Sequence, residues 1–258
     1  MMSKMSKTML ILSAVAISIV AMLSLAAYAD FSIPANQHAK ENAKAPEHSE
    51  VITDSWDLVR VDFIHYAKGQ GPAKNPKSSS CYSLMGVKWT STPVRYVVNP
   101  TNQQGLSESF ITSTISASAE TWDAATSKEL FNDAYAINSS AHYGVQDFVN
   151  TIEFGAYSNN GVIAVTSVWY TRIGKQIVEF DQLYNTFYNW GNVDTEGTSV
   201  MDLKNIAVHE LGHAVGLNDI YSTACNAVTM YGYSGYGETS KRSLEQPDIT
   251  GLQAIYGN

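Results

Sequence analysis

Between Trp56 and Tyr66 the sequence WDLVRVDFIHY alternates, with Val59, Val61 and Phe63 on one face of an extended segment and Arg60 and Asp62 on the other. That period of two predicts a strand. Over residues 107–126 the period changes: Ile111, Ile115, Ala119 and Trp122 recur at intervals of four and three, which predicts a helix with one apolar stripe. Residues 94–99 form a short β-branched run. Residues 151–156, 162–170 and 176–183 predict three further strands, rich in Val, Ile and aromatics and separated by Asn-Gly and Ile-Gly-Lys turns. Residues 199–216 read as a second helix, opened by a capping box of Ser199 with Asp202. A third spans residues 247–256, with Pro in its first turn and Gly257 after its end. Helices and strands mix without regular βαβ alternation, so the expected class is α+β.

The N-terminus follows another rule. Lys4 and Lys7 precede an uncharged apolar run, residues 9–25, and then Ala27-Tyr28-Ala29, the small-x-small pattern of a signal-peptidase site. Residues 1–29 are therefore expected to be a signal peptide, cleaved before Asp30, of a secreted protein. The second reading is an uncleaved anchor. Residues 30–50 hold little to bury, and residues 69–80 (GQGPAKNPKSSS) are turn formers that read as an exposed, protease-accessible linker. Residues 30–80 are thus an N-terminal segment, either a propeptide or a spacer, and residues 81–258 the globular domain.

Composition narrows the function. With 258 residues, 45% hydrophobic and 16% charged, the chain can fill a core and is no disordered polyelectrolyte. A net charge of −8, or −10 without the leader, argues against nucleic acid as a partner. The expectation is a monomer acting on protein or peptide, with no membrane span once the leader is removed. The two cysteines, Cys81 and Cys225, both lie beyond the leader, and an isolated pair in an oxidising compartment most often forms a disulfide.

The chemistry sits in residues 209–219, HELGHAVGLND. On a helix, His209 and His213 share a face one turn apart, where two imidazoles can reach one zinc ion. Glu210 follows the first His directly, so its carboxylate points beside the metal and suits a base for a bound water. Leu203, Ala207, Leu211 and Ala214 form the opposite, core-packing face. A hydrolytic zinc site wants a third protein ligand. Gly216 can take the positive φ that ends a helix, and Asp219 lies where the returning chain can place a carboxylate on the metal. The plain alternative for Asp219 is a turn or cap residue.

HELGHAVGLND resembles the extended zinc signature of the metzincin peptidases, with Asp219 in place of the usual third His, as in the snapalysin-like minority. Val228-Thr229-Met230-Tyr231 resembles the turn whose Met lies beneath the zinc in that clan. Residues 247–257 resemble the last helix of the matrixin branch, and Gly86-Val87-Lys88-Trp89 with residues 94–100 the start of a matrixin catalytic domain. The resemblance implies a zincin fold of a twisted five-stranded mixed sheet with three helices, and a secreted zinc metalloendopeptidase with Glu210 as general base. It also implies that Val162, Ile163, Ala164 and Val165 are an edge strand on which substrate is laid; the plain reading is an interior strand. A non-catalytic, zinc-containing cell-surface binding protein of the same fold is the rival.

Two further readings stay open. Cys81 either pairs with Cys225 or acts as a zinc-binding thiolate that keeps a precursor inactive, although Ser80 and Tyr82 do not match that latch. Asp194 and Glu196 either help a calcium site or form a solvated acidic loop. His38, His48, His65 and His142 are expected at the surface, with His142 the one candidate for a second metal.

Overall fold

In the computed structural model of the chain, residues 51–53, 57–71 and 80–258 are described, the first three as backbone only. The leader, the Ala-Tyr-Ala site, His38, His48 and most of the linker lie outside the described residues.

From Leu58 onward the alternating segment does form a strand, and it is built into the main sheet. In chain order the strands are β1 (Val51–Thr53), β2 (Leu58–Ala67), β3 (Val97–Asn99), β4 (Ala136–Ile137), β5 (Thr151–Gly155), β6 (Val162–Thr171), β7 (Ile177–Asn185), β8 (Trp190–Gly191), β9 (Met201–Asp202) and β10 (Tyr233–Ser234). The sheet order is β1-β2-β6-β7-β5-β3-β4, with β10 added alongside β2 and β8-β9 forming a separate pair. β3, β4, β5 and β7 pair in parallel, while β6 runs antiparallel to both β7 and β2. The fold is a mixed-sheet α+β domain. Five of its strands, β6-β7-β5-β3-β4, form a contiguous sheet of the expected size, and β1, β2 and β10 are additional to it. Val162–Val165 therefore do not lie on an open edge, because β2 covers that side of β6.

The helices are α1 (Glu108–Asp123), α2 (Val193–Glu196), α3 (Leu203–Ala214) and α4 (Gln246–Tyr256). The apolar stripe of α1, Ile111, Ile115, Ala119 and Trp122, is buried as its period requires. The Trp122 indole Nε1–H donates to the Val208 carbonyl at 2.8 Å and fixes α1 against α3. Helix α3 begins later than the sequence predicts. Residues 201–202 are extended because β9 pairs with β8. The cap is consequently Asp202 rather than Ser199, its carboxylate accepting from the Asn205 amide at 2.9 Å. Arg242 holds the same carboxylate through Nε at 2.8 Å.

Cys81 and Cys225 form a disulfide with a Cα–Cα distance of 5.3 Å across 144 residues of sequence. It joins the start of the globular part to the loop between Asp219 and Met230. The start of the globular part also meets the reversal after α3 through backbone bonds from Met85 N to Gly216 O and from Asn218 N to Ser83 O, both 2.9 Å.

Candidate metal centre

Helix α3 ends as a glycine-terminated helix should. Gly216 has φ +97°, its amide donates to His213 O at 3.0 Å, and the Leu217 amide donates to Gly212 O at 3.0 Å. A Cβ at Gly216 would also lie 2.6 Å from the Val87 carbonyl, so glycine is required both for conformation and for space. The chain then reverses and brings Asp219 back over the helix.

Each imidazole is oriented by a backbone carbonyl. His209 Nδ1 lies 2.7 Å from Thr229 O, and His213 Nδ1 lies 2.9 Å from Leu217 O. A carbonyl only accepts, so both Nδ1 atoms carry the proton and both Nε2 atoms present a lone pair. Those two Nε2 atoms stand 3.2 Å apart. Asp219 Oδ1 lies 3.1 Å from the first and 3.4 Å from the second. Asp219 Oδ2 accepts from the Tyr221 hydroxyl at 2.7 Å, whereas Oδ1 is buried without a hydrogen-bond partner. Three acceptor atoms converging in a buried space are what a cation with nitrogen and oxygen ligands needs. Burial works to raise the Asp219 pKa, but the imidazoles of His213 and His209 outweigh it and hold the carboxyl well below its usual range. The donor set fits zinc, and the described residues offer it His209, His213 and Asp219.

Glu210 points beside this trio and is fully buried. Its Oε2 accepts from the Thr166 hydroxyl at 2.6 Å, and its Oε1 lies 3.0 Å from His65 Nδ1. Burial raises the Glu210 pKa against the opposing pull of His209, His213 and Thr166. His65 is a correction to the sequence reading. It is 1% exposed, its ring lies 4.0 Å from that of His209, and the neighbouring Phe63 ring stacks on His213 at 4.1 Å. The signal was present, since the alternation of Val59, Val61 and Phe63 carries His65 onto the same buried face. His142 does remain at the surface, with a side chain 67% exposed.

The Met turn supports the helix from below. Asp248, in the first turn of α4, accepts from the amides of Thr229 at 2.9 Å and Met230 at 3.2 Å, and so fixes the carbonyl that orients His209. Met230 packs under Gly212, where an added Cβ would run into the Met230 sulfur and meet the Trp122 ring at 2.7 Å. Gly212→Ala should therefore destabilise the domain by about 2 kcal/mol despite the better helix propensity of Ala, measured as a lower denaturant midpoint.

Lys241 is a buried ammonium. Its Nζ donates to Glu238 Oε1 at 2.6 Å, Ser234 Oγ at 2.9 Å and Tyr233 O at 3.0 Å. Burial would raise the Glu238 pKa, but Lys241 and Lys68 overcome it and bring the carboxyl down to about 2. A depressed carboxylate stabilises the fold above its unfolded pKa, and that stability is lost as pH falls through the window from about 4.5 to about 2. Glu238→Gln should flatten this acid limb in a stability–pH profile. At neutral pH it should cost about 3 kcal/mol, because Lys241 stays buried without a carboxylate.

Asp194 and Glu196 have protein partners. Asp194 pairs with Arg242 at 2.5 Å, and Glu196 accepts from the Asn192 amide at 2.9 Å, so the calcium expectation finds no support.

A family profile described as Matrixin matches residues 88–257. The chain is 44% identical to human Matrix metalloproteinase-25 over 71 residues, which are 27% of this chain and 12% of that protein. It is 48% identical to human Neutrophil collagenase over 52 residues, 20% of this chain and 10% of that protein. Metalloendoproteinase 5-MMP of Arabidopsis thaliana is 42% identical over 60 residues, 23% of this chain and 16% of that protein. The chain thus spans well under two thirds of each of these relatives.

Proposed function

Because this chain belongs to the matrixin family, we propose that it is a zinc-dependent endopeptidase with His209, His213 and Asp219 as the zinc ligands and Glu210 as the general base. The observation that carries this reading is the convergence of three acceptor atoms beside a buried carboxylate. When bound there, zinc supplies Lewis-acid polarisation of the scissile carbonyl and makes water more acidic. Glu210 holds that water, accepts its proton and passes it to the departing amine. Thr166 keeps the carboxylate turned toward the metal side through its hydroxyl. Thr229 and Leu217 hold each imidazole in the tautomer that leaves Nε2 free. Met230, Gly212 and Gly216 set the helix and its reversal and take no part in proton transfer.

The Ala-x-Ala leader and the disulfide support secretion. Among the described residues no helix is long and apolar enough to cross a membrane. An intact Glu210 disfavours the cell-surface binding-protein reading, since a non-catalytic site has no need of a base. The test is cleavage of a denatured protein by the secreted product after processing. Activity abolished by a chelator and restored by zinc supports the reading. A zinc-loaded, processed protein that cleaves nothing contradicts it.

A further inference from the structure

Beyond the Gly216 reversal the chain pairs with the exit of the Met turn. The Ile220 amide donates to Met230 O at 2.8 Å, and the Ile220 carbonyl accepts from the Gly232 amide at 3.0 Å. Side chains two apart on an extended backbone point to the same side. Ile220 is buried in the core, and its neighbours Asp219 and Tyr221 point together away from it. The Tyr221 hydroxyl donates to Asp219 Oδ2 at 2.7 Å, the length of an O–H bond to a charged oxygen.

The phenol is fixed by its surroundings. Its ring fills the space that a side chain at Gly232 would take: a Cβ there would run into the ring, 2.6 Å from Cζ and 2.8 Å from the hydroxyl oxygen. Tyr233 packs edge-on against the same ring with centroids 5.3 Å apart, and Tyr231 packs on Tyr233 at 5.8 Å. A donor held in this way needs no reordering when Asp219 takes up its charge.

The bond matters because Asp219 stands where the signature it resembles has His. An imidazole brings one lone pair to a metal, whereas a carboxylate brings two oxygens. A hydrolytic zinc needs three protein donors and one position left for water, and a carboxylate that gave both oxygens would take that position. The two oxygens of Asp219 have different surroundings. Oδ1 lies 3.1 Å and 3.4 Å from the two imidazole Nε2 atoms and has no hydrogen-bond partner, while Oδ2 is spent on Tyr221. We propose that Tyr221 is a positioning residue of the metal centre: by holding Oδ2 it makes Asp219 a one-oxygen ligand and keeps a coordination position open. Gly232 belongs to the same device, since it gives the phenol its place. The inference rests on the assignment of Asp219 as the third zinc ligand. In this role Tyr221 acts through Asp219 alone.

The test uses the full chain loaded with cobalt(II), which takes zinc sites and reports coordination number through its visible absorption: strong when four-coordinate, weaker when five-coordinate. Tyr221→Phe keeps the ring and removes the hydroxyl. It is expected to bind one equivalent of metal with affinity within about tenfold of the native chain. Its absorption should fall to the five-coordinate level, and X-ray absorption of its zinc form should show one more oxygen than the native site. Gly232→Ala, which keeps every hydroxyl but pushes the phenol aside, should give the same spectral change. Asp219→Ala should weaken metal binding by more than about 100-fold, beyond the cost of losing an orienting partner. Native spectra in both Tyr221→Phe and Gly232→Ala, with metal binding lost in Asp219→Ala, would overturn the role of Tyr221 and leave the ligand assignment standing. Native affinity and spectrum in Asp219→Ala would remove Asp219 from the site, and the role of Tyr221 with it.

Discussion

Glu210→Gln is expected to lower the turnover of the processed enzyme by about 10³-fold while leaving zinc content unchanged. The substitution keeps the shape of the side chain, and Gln can still accept from the Thr166 hydroxyl. It lacks the basic oxygen that removes a proton from water. Glu210 is not among the converging atoms of His209, His213 and Asp219, so the metal should remain. KM should change little, since the lost interaction belongs to the transition state. Steady-state kinetics alongside zinc analysis by atomic absorption check both halves. A Gln variant with near-native turnover would remove Glu210 from the mechanism. A variant that lost its zinc would make the residue a determinant of the site rather than its base.

Cys225→Ser is expected to cost roughly 4–5 kcal/mol, near the top of the range for a native disulfide, because the bond closes a very long loop. In a domain of this size that corresponds to a fall in Tm of roughly 10 °C or more. The loss should extend to function. The disulfide ties the segment before Ser83 to the loop that delivers Asp219 and Met230, so zinc affinity should weaken along with stability. Calorimetry and competitive zinc titration of Cys225→Ser and of the double variant Cys81→Ser/Cys225→Ser would check this. Equal losses in the single and double variants would assign the effect to the bond itself rather than to a newly freed thiol.

The local parts of this protein are legible in its sequence. The α1 stripe, the His209–His213 spacing, the Gly216 reversal and the alternation of β2 depend on residues within a few positions of one another. Period alone could place them. What the sequence does not carry is the partner of each element. Period two says that Val59, Val61, Phe63 and His65 share a face, but it does not say that the face closes over α3, about 145 residues away. The sequence reading that puts His65 at the surface fails for this reason, although the strand pattern itself points inward. Capping-box spacing to Asp202 points to Ser199 as the cap of α3. Pairing of β9 with β8 keeps the backbone extended to Asp202 and moves the cap three residues on. The buried Lys241–Ser234–His65–Glu210 chain draws on three separate regions of sequence, and no local motif marks it.

The central claim concerns three ligands and can be tested at the zinc itself. X-ray absorption at the zinc edge, on the processed protein loaded with one equivalent of zinc, reports the ligands directly. The account predicts two imidazoles and one carboxylate oxygen from the protein, with the oxygen contribution altered in Asp219→Ala and the imidazole count reduced to one in His213→Ala. A thiolate in the shell, or a shell unchanged by either substitution, would contradict the assignment.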